Sequence, residues 1–298
     1  MDERRWEDLN IDCMVNILGR VGMESLLLDV PFVCKSWYRA SLNPSCWERL
    51  IFPDIKSSYS TLFVGIGGKT LRWFHDPKLE RFIHQYQIDE SHFSTTAFIK
   101  FVVNRSNGHA TALRLPPCAS ETDLKYVSDV CGDLKAVGLP GDLVNDKSGV
   151  ITELIGKWKR LEWLMLGSSY DLVKILSQIS IHCKDFWGLR VSNADIFNDE
   201  AIAIVNFLPK IKHLILRKAE IDRDALMKLL QGCTELRVLD VSDCIGFSED
   251  DEEILKLASH ITNFSCKGSR EYDYDDDGFY EDGSFLFDDV VYDGYYSD

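Results

Sequence analysis

A short apolar pattern, apolar-x-x-apolar-x-apolar, recurs at a nearly constant interval through the last two-thirds of this 298-residue chain. It reads Leu134, Val137, Leu139; Leu161, Leu164, Leu166; Phe186, Leu189, Val191; Ile211, Leu214, Leu216; Leu236, Leu239, Val241; and Ile261, Phe264, Cys266. The first step is 27 residues and the next four are 25 each. A weaker copy, Ala110, Leu113, Leu115, stands 24 residues before the first. A fixed period of this size means a repeated supersecondary unit that cannot bury its apolar face alone and must stack on its neighbours.

A second set of apolar columns lies between these runs. Three residues before each start come Cys131, Trp158, Cys183, Leu208, Cys233 and Ala258. Seven before come Val127, Leu154, Ile179, Ile204, Leu229 and Ile254; ten before come Leu124, Ile151, Leu176, Ala201, Leu226 and Asp251. Spacings of three and four share one helical face. Each unit therefore reads as an amphipathic helix followed by a short strand. Gly132 and Gly232 sit where helices stop, and Asp222 and Ser248 stand as N-caps. The 27-residue step implies an insertion within 141–147.

These columns resemble the leucine-rich-repeat family. Its motif has Asn or Cys eight residues after the first Leu, where Cys244 fits and Asp142, Ser169, Ala194 and Ala219 do not. The resemblance implies an α/β solenoid with parallel inner strands, outer helices and an arc that is irregular where the ladder residue is missing. Residues flanking the middle Leu of each run alternate toward the concave side. Of these, Trp163, Met165, Arg190, His213 and Asp240 are the expected target contacts. Trp and Arg are common interface anchors, and Met suits adaptable surfaces. Trp163 and Ile215 are read equally well as packing along the sheet.

Residues 6–47 carry three short helical faces: Ile11, Met14, Val15 and Leu18 first, then Leu26, Leu27, Val30, Val33 and Trp37, with Gly19, Gly22, Pro31, Asn43 and Pro44 as punctuation. The layout resembles the F-box. Leu9 stands at its opening Leu, Ile17–Leu18 at its apolar pair, Val33-Cys34-Lys35-Ser36-Trp37 at its V-C-K-x-W core, and Pro44-Ser45-Cys46-Trp47 at its close. Asn10 departs from the family's Pro. The resemblance, of the plant F-box/leucine-rich-repeat type, implies an adaptor without an active site. Leu9, Ile17, Leu18, Leu27, Val30, Val33, Trp37 and Trp47 would bind a Skp-type adaptor of a cullin ubiquitin ligase, and the repeats would hold an unknown target protein. About 40 residues is small for independent stability, so this module leans on the repeats or on a partner. A free-standing repeat scaffold or inhibitor, and a small-molecule-dependent receptor, are the alternatives.

The division expected is 3–48 for a three-helix F-box, 49–109 for a linker and degenerate first repeat with a helix at 95–103, 110–268 for six or seven repeats, and 269–298 for a disordered acidic-aromatic tail. Net charge is −15, but 271–298 holds eleven of the acidic residues and none of the basic ones, leaving the rest near −4. With no basic stripe visible in the sequence, nucleic acid is not an expected partner, and no cluster of basic residues marks an anion pocket. No stretch reaches the roughly 20 apolar residues of a membrane span. The acidic start lacks a signal-peptide core, so a cytoplasmic or nuclear location is expected.

Other motifs are weak. The run 65–70 has the glycines of a phosphate loop but Phe63 at the required first Gly. Asp273, Asp275, Asp277 and Gly278 imitate a calcium loop whose twelfth position is Ser284 instead of Glu. Seven histidines show no metal-ligand spacing, and no nucleophile elbow occurs. Nine cysteines without a Cys-x-x-Cys pair read as small buried hydrophobes. No catalytic residue, metal or cofactor is expected.

Overall fold

The computed structural model describes residues 9–53, 77–89 and 92–272. The phosphate-loop-like run, the calcium-loop-like run and the acidic-aromatic tail beyond Tyr272 fall outside the described residues.

The N-terminal module consists of α1 (Ile11–Leu18), α2 (Met23–Leu28), α3 (Val30–Val33) and α4 (Lys35–Ser41), closed by a 3-10 turn, Pro44–Trp47. The three helical faces anticipated are thus delivered by four helices. Pro31 lies in the first turn of α3, where its missing N–H costs nothing, and Cys34 is extended (φ −163°, ψ 171°) between α3 and α4. Asn10, the departure from the F-box pattern, caps α1 by accepting the Asp12 N–H at 2.8 Å. Trp47 is buried, and its indole N–H donates to the Ser41 carbonyl at 2.6 Å.

The chain then enters β1 (Arg49–Ile51), α5 (Pro77–Gln85) and α6 (Thr95–Arg105). It continues through β2 (Ala112–Arg114), α7 (Glu121–Val130), β3 (Ala136–Leu139), α8 (Gly141–Ile155), β4 (Trp163–Leu166), α9 (Leu172–His182) and β5 (Gly188–Val191). The last part holds β6 (Asp195–Ile196), α10 (Asn198–Phe207), β7 (His213–Ile215), β8 (Glu220–Ile221), α11 (Arg223–Gly232), β9 (Val238–Asp240), α12 (Glu252–Ala258) and β10 (Asn263–Ser265). Eight strands form one parallel sheet in the order β1-β2-β3-β4-β5-β7-β9-β10. Every rung has the same register: Leu113 pairs Val137, Leu164 pairs Leu189, and Leu214 pairs Leu239. This is the stacked α/β solenoid that the period requires.

The helical columns are the core. Cys131, Trp158 and Cys233, with Val127, Ile179, Ile204 and Leu229 one turn earlier, are all fully buried. Helices end on the first of these columns because the backbone N–H of Cys131, Cys183, Leu208 and Cys233 closes onto the carbonyl four residues back. Burial pushes the thiols of Cys46, Cys183 and Cys244 up to about 11 and that of Cys233 to about 12, so they pack as apolar groups. The position where Asp251 breaks the column is the N-cap of α12, its carboxylate accepting the N–H groups of Glu253 and Ile254. Ser248, expected in that role, instead sits in the turn before it and accepts from Asp250 N–H. Asp222 does stand at the cap of α11, but makes no side-chain bond to its N–H groups. The two extra residues of the long step are absorbed in α8, the longest helix among the described residues, which bends at Lys147 (φ −133°, ψ 26°).

The segment 49–109, read as linker and degenerate repeat, opens with a full strand. Trp47, Leu50 and Phe52 carry the same apolar spacing as the other repeats, and all three are buried. The Glu48 carbonyl accepts Thr111 N–H as Lys135 accepts Glu162 N–H and Lys212 accepts Arg237 N–H. The helical module and the solenoid therefore share one continuous core running from Met14 to Cys266.

Candidate functional site

Two surfaces stand out. The first is the outside of the helical module. Of the twelve large apolar side chains exposed among the described residues, seven fall in this short stretch: Leu9, Ile11, Ile17, Phe32, Val33, Tyr38 and Leu42. Exposed apolar groups scattered singly are ordinary, but such a concentration marks a contact surface. The inner side of the module is already used. Tyr86 Oη donates to the Leu27 carbonyl at 3.0 Å, Gln85 and Arg81 each donate to the Leu28 carbonyl at 3.1 Å, and Arg81 and Lys78 pair with Asp29 and Glu24. These bonds tie α2 to α5, leaving α1, α3 and α4 to face outward.

The eight residues expected to touch an adaptor divide accordingly. Leu9, Ile17 and Val33 are exposed, and Trp37 is half-buried against the core. Leu18, Leu27, Val30 and Trp47 are buried, at 1 to 4 % exposure. Their place is inside the module, where they hold its shape, and they cannot meet a partner without unfolding it. Sequence reading assigned them outward because a matching motif position does not say which side of a 3.6-residue turn faces the core. Ile11, Phe32, Tyr38 and Leu42 were missed for the same reason. Phe32, Tyr38 and Leu42 were signalled only by apolar character, whereas Ile11 shares the spacing of Met14 and Leu18 and is nonetheless exposed at the first residue of α1.

The second surface is the concave face of the sheet. In-register rungs place Met165, Arg190, Ile215 and Asp240 side by side, and Trp163, Gly188, His213 and Val238 beside them. Trp163 and Met165 are buried, with Ala112, Ala136 and Ile215, in a small apolar cluster separate from the main core. They are the floor of this face, not its contact tips. What stands above the floor is Trp187, His213, Arg190 and Asp240, each partly exposed. Trp187 lies 5.2 Å from Trp163 and 4.8 Å from the His213 ring, edge-on to the latter. It was overlooked because it precedes its strand by one residue, outside the alternating pair. Burial first, then Arg237 and Lys212 beside it, hold His213 below its usual range, so it is neutral at pH 7.

The charge of this face corrects the sequence reading. Along β3, β4, β5, β7, β9 and β10, counting two residues beyond each strand, lie Lys135, Arg190, Lys212, Arg217, Arg237 and Lys267 against Glu162 and Asp240. Glu162 pairs with Lys135 at 3.0 Å, and Arg217 lies between two carboxylates, 3.6 Å from Asp240 and 3.7 Å from Asp243. These strands themselves carry only Arg190 against Asp240, and the cations that outnumber the anions border the face within two residues of the strand ends. This basic border is invisible as a run because the cations are spread from Lys135 to Lys267, with no two of them closer than five positions.

The edge of the sheet where strands end has the opposite character. Asp142, Asp171, Asp195 and Glu200, with Tyr170 and Phe197, line a cleft of about 640 Å³. The incomplete Asn/Cys ladder is continued here by other means. Cys244 donates to the Leu216 carbonyl at 3.0 Å, and Ser269, one period later, donates to that of Val241 at 2.7 Å. Where Ala194 and Ala219 cannot donate, a second backbone ladder, β6 to β8 and on through Ile245 and Arg270, joins the turns. A further cavity of about 270 Å³ lies in the seam between module and solenoid, among Met23, Leu27, Phe52, Leu79, Phe82 and Arg114. Among the described residues no group of His, Cys, Asp and Glu is placed to hold a metal ion, and no helix is long and apolar enough to cross a membrane.

Comparison with known proteins adds to this geometry. The family described as F-box domain matches residues 6–49. An F-box/LRR-repeat protein of Arabidopsis thaliana is 29% identical over 80% of this chain and 72% of its own length. The F-box protein FBW2 of the same plant is 24% identical over 81% of this chain and 68% of its own. A putative F-box/LRR-repeat protein, also from Arabidopsis, is 23% identical over 94% and 82% respectively.

Proposed function

We propose that this chain, an F-box followed by a leucine-rich-repeat solenoid of the plant F-box/LRR type, is the substrate-recognition subunit of an SCF-type cullin-RING ubiquitin ligase. The observation that carries the reading is the concentration of exposed apolar side chains on α1, α3 and α4, on a module whose other side is fused to the solenoid core. An isolated repeat scaffold would need only a polar-faced cap there. An adaptor of the Skp type would cover these groups, and the rigid seam would hold the concave face at a set distance from the ligase.

In this role the chain makes and breaks no bond. The other subunits transfer ubiquitin, and this one raises the local concentration of a target lysine near the charged conjugating enzyme. Tethering through a short linkage gives effective concentrations of about millimolar, far above the free concentration of a cellular protein. The target would dock on the concave face around Trp187, Arg190, His213 and Asp240, over the Trp163–Met165 floor. Cytoplasm and nucleus, where such ligases work, are the proposed locations.

Co-expression with a Skp-type adaptor tests this. The wild-type chain should co-purify as a one-to-one complex, and Val33→Asp or Tyr38→Asp, both changes at exposed positions, should abolish it while leaving the melting temperature within a degree or two. Unchanged co-purification of both variants would overturn the reading.

A further inference from the structure

The concave face joins three features that together select a ligand chemistry. It has an aromatic step, Trp163, Trp187 and His213, with ring centroids 4.8 to 6.1 Å apart. It has flanking cations, Arg190 in register with Met165 and Ile215, and Lys212 and Arg237 close enough to His213 to depress its protonation. And within two residues of its strand ends it is bordered by more Lys and Arg than Asp and Glu. Aromatic side chains interleaved with carboxylates meet all three: rings stack on the aromatic step or beneath a guanidinium, and carboxylates pair with the cations. The acidic cleft at the strand-end edge would repel the same ligand.

One segment of this chain has that composition. Residues 273–298 contain ten Asp and Glu, eight Tyr and Phe, and no Lys or Arg. Their starting point, Tyr272, is held at the end of the solenoid, its hydroxyl donating to Asp222 at 3.1 Å. Extended chain covers roughly 3.3 Å per residue, so this segment reaches about 85 Å. Strands are about 4.8 Å apart, so β3 lies only about 24 Å across the sheet from β10. Reach is not limiting, and attachment would supply a local concentration of about millimolar.

We infer that the concave face is a docking surface for acidic-aromatic segments and that residues 273–298 of this same chain occupy it. A target then reaches the face by displacing them, and a target segment rich in carboxylates and aromatic rings competes best. Occupancy by residues 273–298 does not rest on the ligase reading, since no F-box residue takes part; only the competition by a target rests on it.

Carbodiimide cross-linking of the full chain, which joins lysine amines directly to carboxylates, tests it on an equal mixture of 14N and 15N protein. Same-isotope links from 273–298 to Lys212 and Lys135 are expected. They should be lost in 0.5 M salt, where the screening length is about 4 Å. They should also be lost in the exposed-face variant Arg190→Glu/Arg237→Glu, which leaves both lysines in place, provided its melting curve matches wild type; Arg237→Glu alone serves if it does not. Links confined to helix lysines such as Lys125, Lys174 and Lys228, links of mixed isotope, or none at all would overturn the inference.

Discussion

The indole of Trp163 on β4 covers the α-carbon of Gly188, its in-register neighbour on β5, so closely that a Cβ at 188 would fall within the ring. Only a residue without a side chain lets the aromatic floor of the concave face form. Gly188→Ala must push Trp163 out of its site, and overpacking of this kind costs about 1–3 kcal/mol. The expected outcome is a lowered melting temperature whose loss shrinks in the Trp163→Ala background. Equal losses in both backgrounds, measured as a double-mutant cycle, would show that the two residues are not coupled.

The helical module separates shape from contact. Leu18 is buried and Val33 is exposed. Leu18→Ala should cost about 2–5 kcal/mol of stability, and any loss of adaptor binding it causes should return at lower temperature. Val33→Asp should leave unfolding unchanged within about 0.5 kcal/mol and abolish adaptor binding at every temperature. Denaturant melts paired with binding at two temperatures distinguish these.

The ladder at the turns makes a graded prediction. Ser269 both donates to the Val241 carbonyl and accepts Cys244 N–H. Ser269→Ala orphans both groups in a buried place and should cost about 1–3 kcal/mol. Cys244→Ala removes a weaker thiol donor and should cost less. Chemical denaturation of the two variants gives the order.

His213 sets a pH dependence. Its folded-state value lies below the ordinary value of about 6.5, so the unfolded chain binds the proton more readily. Stability is therefore full above that value and is lost as pH falls from about 6.5 toward the lower folded value. His213→Gln should flatten this part of the melting-temperature profile and leave the profile above pH 7 unchanged. An imidazole resonance titrating at or above 6.5 would contradict the sign.

The solenoid was legible because its period is enforced by stacking: Val127, Ile179 and Leu229 must each fill the same space, so the sequence repeats them. The first strand was not, because Trp47 belongs to two patterns at once, closing the F-box and opening the first repeat, and a long insertion hides the spacing that follows. The contact residues were legible only as chemistry. Phe32 and Val30 are two positions apart on one short helix, yet Val30 is buried while Phe32 is exposed with its ring edge-on to Tyr86, a partner far along the chain. The basic border of the concave face was illegible in principle to a reading along the chain, since Lys212 and Arg237 are adjacent only across strands.

The claim beneath all of this is that one rigid body carries two separate docking surfaces, apolar helices at one end and a curved sheet beside them. Hydrogen–deuterium exchange of the full chain, with and without a Skp-type adaptor, measures it most directly. Protection confined to 11–18 and 30–41, with β3 to β10 exchanging as before, is the predicted result. Protection spread along the strands, or none in the helices, would contradict it.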